Sequence, residues 1–171
     1  MIERVVAHRE QAFTVFTDVV ETVLSTDEDG AVGIVVCTVD IIAFDATSRD
    51  HKFDIGEAIS LIHSAKRYAM ADISTFEEGI NNAMLGADII STTLSGYTSH
   101  SENNSEGPDF ELLKKLVEAA DIPVILEGKV WETSDVQKAF ELGAYSVVIG
   151  SAITRPQLIT KRFVNSIQQA K

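Results

Sequence analysis

Apolar residues fall in short runs separated by stretches with helical spacing, a rhythm that is regular from about residue 38 onward. Val39–Phe44 predicts a buried strand and Ile55–Tyr68 a helix. Tyr68–Ile73 predicts a second strand. Thr75–Leu85 predicts a helix opened by a Thr75/Glu78 capping box, with Phe76, Ile80, Ala83 and Met84 on its apolar side. Gly86 stands where a helix-terminating glycine belongs. Ile89–Thr93 predicts a strand, and Asp109 opens a helix that places Leu113, Leu116, Val117 and Ala120 on one face. Pro123–Leu126 is the next strand. Ser134 and Gln137 are read as the cap of a further helix, which turns Val136, Ala139 and Phe140 inward and stops at Gly143. Tyr145–Ile149 predicts the last strand. Pro156 fits the first turn of a final helix with Ile159, Phe163 and Ile167 on one face.

A weak internal repeat supports this reading. Leu85-Gly86-Ala87-Asp88-Ile89-Ile90 resembles Leu142-Gly143-Ala144-Tyr145-Ser146-Val147, each a helix stop running straight into a buried strand. Strand–helix alternation with nearly continuous apolar strands implies a parallel sheet covered by helices. The first 38 residues do not share the rhythm. Thr14–Asp18 is a candidate start of a βα unit, but polar Ser25–Gly30 interrupts it, and Ala31–Cys37 is a second apolar run close to Val39. Residues 1–171 are read as one barrel-type domain, well patterned over 38–171 and poorly over 1–37.

Composition narrows the function. The 171 residues are 45% hydrophobic and 23% charged, ordinary for a soluble domain with a sizeable core. No apolar run reaches the roughly 18 residues of a membrane helix, so no membrane partner is expected. The N-terminus has no apolar secretory core, and Cys37 is the single cysteine, so a cytoplasmic location is the expectation. The net charge of −12 argues against nucleic acid, which demands clustered Lys and Arg. An anionic ligand would have to be held by local donors against that field. His8, His51, His63 and His100 lack metal-ligand spacing, and neither a dinucleotide fingerprint nor a nucleophile elbow is present, so no metal or cofactor is expected.

Polar residues recur where the strands end. Asp45 follows Ile41-Ile42-Ala43-Phe44, Asp72 follows Tyr68-Ala69-Met70-Ala71, Thr92 and Thr93 follow Ile89-Ile90, Glu127 follows Val124-Ile125-Leu126, and Gly150 and Ser151 follow Val147-Val148-Ile149. In a parallel βα protein these ends share one rim, where barrel active sites are built. One such residue is most simply a helix cap or a loop polar group; five at once point to a site. Glu127-Gly128-Lys129 and Gly150-Ser151-Ala152 are small, backbone-exposing turns in the last two loops, a place where barrels hold phosphate. Arg155 adds a guanidinium fork. Gly96-Tyr97-Thr98 opens a long Ser/Asn/Gly-rich loop, Leu94–Pro108, and would place the Tyr97 phenol over a ligand; Ser101–Gly107 reads as a disordered surface segment.

These motifs resemble the N-acylmannosamine-6-phosphate 2-epimerase family. Ile42-Ala43-Phe44-Asp45-Ala46-Thr47, Met70-Ala71-Asp72-Ile73-Ser74-Thr75, Thr92-Thr93-Leu94-Ser95-Gly96-Tyr97-Thr98, Glu127-Gly128-Lys129 and Gly150-Ser151-Ala152-Ile153-Thr154-Arg155-Pro156 are similar to the family's strand-end motifs in order and spacing. The resemblance implies a (β/α)8 TIM-type barrel that interconverts N-acetylmannosamine 6-phosphate and N-acetylglucosamine 6-phosphate in sialic acid catabolism, without redox cofactor or metal. It implies Glu127 as a catalytic acid/base, Asp72 as a polar residue supporting the catalytic site and Arg155 as a phosphate ligand. Gly128, Lys129, Gly150, Ser151, Asp45, Thr93 and Tyr97 are the further candidates for holding a phosphorylated amino sugar. A homodimer is one expected assembly.

The chain also departs from the family. Barrels of this kind run to about 250 residues. The family's Ser-Cys-Gln and Arg-Ala-Asn type motifs of the first two strands have no counterpart here. The nearest match to its catalytic Lys-Arg-Asp type motif is His8-Arg9-Glu10. Five βα units are secure and a sixth is arguable, so the barrel is expected to be incomplete, lacking its first two strands. The alternative to an active epimerase is an inactive or self-associating partial barrel. A third reading, another barrel enzyme acting on a phosphorylated small molecule, is disfavoured by the joint presence of Gly96-Tyr97-Thr98 and Ile153-Thr154-Arg155-Pro156.

Overall fold

The computed structural model describes residues 40–48, 54–101 and 107–169, together with the strand backbones of residues 4–8, 11–16, 24–26 and 32–34. In the N-terminal part these are β1 (Arg4–His8), β2 (Gln11–Phe16), β3 (Leu24–Thr26) and β4 (Val32–Ile34). Then follow β5 (Ile41–Asp45), α1 (Ile55–Ser64), β6 (Tyr68–Asp72), α2 (Phe76–Met84), β7 (Ile89–Ser91), α3 (Phe110–Ala119), β8 (Val124–Glu127), α4 (Thr133–Glu141), β9 (Ser146–Ile149), α5 (Ser151–Thr154) and α6 (Pro156–Gln169). Strands β5 to β9 are all parallel neighbours in chain order, each followed by a helix, which is the arc of a βα barrel.

The N-terminal segment adds a different element. β1 and β2 form an antiparallel hairpin, and β1 pairs antiparallel with β9, giving the sheet order β2-β1-β9-β8-β7-β6-β5. The sequence offered Thr14–Asp18 as the start of a βα unit; residues 14–16 lie instead in the second strand of this hairpin. β3 and β4 form a separate two-stranded antiparallel pair that takes in part of the Ala31–Cys37 run.

Alternation along the parallel strands divides their side chains between two faces. Ile42, Phe44, Ala71, Ile90, Leu126 and Val147 face the helices, where they meet Ile59, Ile62, Leu113, Leu116 and Ala139 in the main core. Met70, Ile89, Ile125 and Val148 form a smaller cluster on the opposite face, with Ile41 and Ala43 packed against it. This inner face corresponds to the interior of a barrel. Asp45, Asp72, Ser91 and Glu127 continue it by period two at the C-terminal strand ends.

Local chemistry sets the helix boundaries. Asp54 caps α1 by accepting from Glu57 N–H, Thr75 and Glu78 form the capping box of α2, and Asp109 caps α3. Helix α1 stops at Ser64, short of Tyr68, because Lys66 adopts a left-handed conformation with φ 57° and the chain turns into β6. Two further expectations are corrected. Helix α4 follows Glu132, and Asp135 Oδ2 accepts from Trp131 N–H and Glu132 N–H just ahead of the first turn, so Ser134 lies inside the helix. Met84 is exposed rather than part of the apolar face of α2; the buried stripe of that helix is Glu78, Gly79 and Asn82. Gly79 lets α2 approach α3 closely, since a Cβ there would sit 2.5 Å from Leu116 Cδ2 and the leucine would have to shift. On α6, Phe163 and Ile167 are exposed and Ile159 is half-buried. None of the described helices is long and apolar enough to cross a membrane.

Candidate active site

Strand register brings the polar strand ends together. Asp45 pairs with Asp72, Asp72 with Ser91, and Glu127 with Val148. The apolar run of each strand fixes which residue is last, so the alternation that buries Met70, Ile89 and Ile125 also projects Asp72, Ser91 and Glu127 above them.

Thr93 is the junction of the resulting network. Its Oγ1 lies 2.7 Å from Asp72 Oδ1 and 3.1 Å from Glu127 Oε2. Ser91 Oγ is 2.8 Å from Thr93 Oγ1 and 3.3 Å from Glu127 Oε2. Two hydroxyls from β7 and its extension thus bridge carboxylates from β6 and β8. A hydroxyl has one proton to donate, so the Thr93 bond to one carboxylate competes with the bond to the other. Thr92 points the other way and fixes the backbone: its Oγ1 donates to Glu127 O at 2.9 Å and accepts from Glu127 N–H at 3.1 Å.

The turn after Glu127 is shaped by unusual backbone. Gly128 and Lys129 both have positive φ, 104° and 56°. Glycine enters that region without penalty, whereas lysine costs of order 1 kcal/mol. A Cβ on Gly128 would lie 3.4 Å from Thr93 O and 3.9 Å from Tyr97 Cε2, so this turn sits directly against the β7 loop. The turn aims Lys129 Nζ over the Tyr97 ring, 5.5 Å from its centroid. Tyr97 is otherwise exposed, held by a compact turn in which Gly96 N–H donates to Ser101 Oγ and Tyr97 N–H to Leu94 O. Residues 94–101 are therefore ordered as a turn; residues 102–106 of the segment expected to be disordered lie outside the described residues.

Asp45 is on the inner face, and its Oδ1 accepts from Thr47 N–H at 3.1 Å and Thr47 Oγ1–H at 2.7 Å, closing its own loop. Gly150 follows β9 two residues beyond Val148 and so sits on the same face. Among the described residues, no atom lies within 4 Å of where its Cβ would be. Ser151 starts α5, and exposed Arg155 ends it. Helix α6 is braced beside this segment by an Arg162–Glu132 ion pair and by the Arg162 guanidinium 4.9 Å from the Trp131 ring.

The sequence reading found Asp72, Thr93 and Glu127, which the structure joins. It missed Ser91 as a partner, although Ser91 shares the inner face with Thr93 by simple alternation. It also read Glu78 as a helix cap and nothing more. His8 lies on β1 with its backbone level with Ser146, at the N-terminal end of β9 and so at the opposite end of the sheet from Glu127.

The chain is similar to known proteins over most of its length. The family described as "Putative N-acetylmannosamine-6-phosphate epimerase" matches residues 20–169. Relatives named "Putative N-acetylmannosamine-6-phosphate 2-epimerase" include one of Clostridium perfringens, 51% identical over 131 residues, and one of Caldanaerobacter subterraneus, 48% identical over 136 residues. They align with 75% and 77% of this chain, which spans 59% and 57% of their lengths. The solved N-acetylmannosamine-6-phosphate 2-epimerase of Clostridium perfringens superposes with a TM-score of 0.72 at 51% identity, over 75% of this chain and 56% of that one. A thiamine phosphate pyrophosphorylase of Pyrococcus furiosus, 20% identical with a TM-score of 0.51 over 67% of this chain and 50% of its own, shares the fold alone. The parallel βα arc is accordingly part of a TIM-type barrel, and the chain belongs to the N-acetylmannosamine-6-phosphate epimerase family.

Proposed function

We propose that this site supplies one face of a C2 epimerisation interconverting N-acetylmannosamine 6-phosphate and N-acetylglucosamine 6-phosphate, a step of amino sugar catabolism in the cytoplasm. In the ring-opened sugar, C2 is adjacent to the C1 aldehyde. A base removes the C2 proton, the electron pair delocalises onto the aldehyde oxygen, and a proton returned to the other face of C2 gives the epimer. No atom or electron is gained or lost, so the reaction needs positioned acid/base groups and stabilisation of the developing negative charge. Glu127 is the group that exchanges a proton with C2 in this reading. Asp72 acts through Thr93, setting which carboxylate holds the hydroxyl proton. The amides of Gly150 and Ser151, with Arg155, hold the 6-phosphate, and Tyr97 and Lys129 close over the sugar.

The observation that carries the reading is the pair of carboxylates joined through Thr93 and Ser91 on the inner face. Both C2 epimers must fit such a site. Calorimetry should show both 6-phosphates binding, each at least roughly tenfold tighter than N-acetylmannosamine, the equivalent of about one charge-assisted contact. Failure of both 6-phosphates to bind, or equal affinity for the unphosphorylated sugar, would overturn the proposal.

A further inference from the structure

A capping-box glutamate ordinarily returns one hydrogen bond to its own N-cap amide. Glu78 makes that bond, from Thr75 N–H at 3.0 Å, and three more. Its Oε2 accepts Ser74 N–H and Ser74 Oγ–H, both at 2.8 Å, and its Oε1 accepts Ser48 N–H at 2.6 Å from a loop thirty residues away in sequence. The side chain is 4% exposed. Burial alone would raise its pKa, but the hydrogen bonds from Ser48 and Ser74 outweigh this and hold the carboxyl below its ordinary value.

One turn further along α2, Asn82 reaches the same loop. Its Nδ2 donates to Ala46 O at 3.0 Å and to Glu78 O at 2.9 Å. Two acceptors claim the amide nitrogen, so Oδ1 is left buried without a hydrogen-bond partner among the described residues. A buried orphan acceptor is costly, and here it accompanies a nitrogen that pins the loop backbone. The other side of the cluster continues the chain of bonds. Thr98 Oγ1–H donates to Ser74 Oγ at 3.0 Å, and the Thr98 and Ser101 hydroxyls are 2.8 Å apart.

These bonds converge on three segments: Ala46–Ser48 follows Asp45, Ser74–Thr75 follows Asp72, and Gly96–Ser101 carries Tyr97. We propose that Glu78, assisted by Asn82, is a positioning residue that locks the three rim loops in one register, so that Asp45, Asp72 and Tyr97 face the sugar together. Glu78 reaches neither the inner face nor the β8–β9 end, so the clamp acts on the sugar end of the site and leaves the phosphate end alone. The ligand part of this inference rests on the proposed function; the clamp itself does not.

Backbone amide exchange on the whole 171-residue chain separates the two. Glu78→Gln presents an NH2 group to donors that need an acceptor. It should speed exchange at Ser48, Ser74, Gly96 and Ser101 by at least roughly tenfold, with β8 and α4 unchanged. Acceleration confined to Thr75 would reduce Glu78 to a helix cap and overturn the clamp. Should Glu78→Gln fail to fold, Ser74→Ala removes the hydroxyl that joins Glu78 to Thr98 and keeps the Ser48, Ser74 and Thr75 amide bonds to Glu78; it should free Gly96 and Ser101 while Ser48 stays protected, and uniform loosening would overturn the inference. In the ligand arm, Glu78→Gln should weaken N-acetylmannosamine 6-phosphate by roughly tenfold and leave inorganic phosphate unchanged, a split that general damage does not produce. If wild type binds neither, the proposed function falls and the exchange pattern still decides the clamp.

Discussion

Thr93 holds a hydroxyl between oxygens of Asp72 and Glu127, and its side chain has the shape of valine. Thr93→Val keeps the packing and removes the bridge. Asp72 is buried, so losing one of its donors should lower stability by about 1–3 kcal/mol in urea unfolding, with Thr93→Ser restoring most of it. An unchanged midpoint for Thr93→Val would mean that the carboxylates do not depend on the bridge. Arg155 poses the complementary question at the other end of the site. Arg155→Ala should weaken the 6-phosphate sugar by about 1.5–3 kcal/mol and hardly change the unphosphorylated sugar. Equal losses for both ligands, read by calorimetry, would place Arg155 outside the phosphate site. Asp72 and Glu127 were legible in the sequence because each directly follows an apolar run, and Thr93 because it closes the strand predicted over Ile89–Thr93. Ser91 was not, because a serine inside a strand looks like tolerated polarity until its face is known.

At the level of elements, α2 carries most of what the sequence could not show. Its apolar residues suggested Met84 inward, but the helix buries Glu78 and Asn82 against loop backbone and Gly79 against the Leu116 side chain of α3. Polar burial of that kind depends on partners thirty residues away and leaves no periodic trace. Helix α4 shows the same limit on a smaller scale: Ser134 and Glu132 are both credible caps, and the choice depends on where the β8 loop ends. The parallel strands, by contrast, were placed within a few residues because short apolar runs alternate there with helical patterns, a rhythm the first 38 residues lack. Glu78 also gives α2 a measurable pH response. Despite burial, its folded-state pKa is held below the ordinary value of an unfolded glutamate by the hydrogen bonds from Ser48 and Ser74. The folded state therefore binds its proton less readily, and its stabilisation is complete above the unfolded pKa and lost as pH falls through the folded one. The stability gap between wild type and Glu78→Gln, on the order of 2 kcal/mol, should be flat near neutral pH and shrink in acid as Glu78 is protonated and becomes uncharged like glutamine. A gap that stays constant through the acid transition would show that the carboxylate charge contributes nothing.

The whole molecule presents a five-stranded parallel arc whose β9 edge is occupied by a hairpin of opposite direction. Inverting C2 requires proton transfer on both faces of the carbon, and Glu127 stands at one of them in the proposed reaction. The resemblance places a lysine on an earlier strand for the other, and the sequence offers only His8 in its place. The hairpin carries the backbone of His8 level with Ser146, roughly 13 Å of strand from the Gly150 rim. Barrel catalytic groups stand at the C-terminal ends of the parallel strands, whereas the backbone of His8 is level with the N-terminal end of β9. We therefore expect residues 1–171 to bind the sugar phosphate yet produce no exchange of the C2 hydrogen of N-acetylmannosamine 6-phosphate in D2O, followed by proton NMR. Joining a segment with two further parallel βα units and a third strand ending in lysine should bring exchange. In that extended chain Glu127→Gln should lower kcat at least about a hundredfold while binding changes little. Exchange by the unextended chain, at a rate proportional to its concentration, would refute the expectation. It would also assign the second proton to a group already present, and Lys129, held over Tyr97 by a left-handed turn at the same rim, would be the first residue to replace.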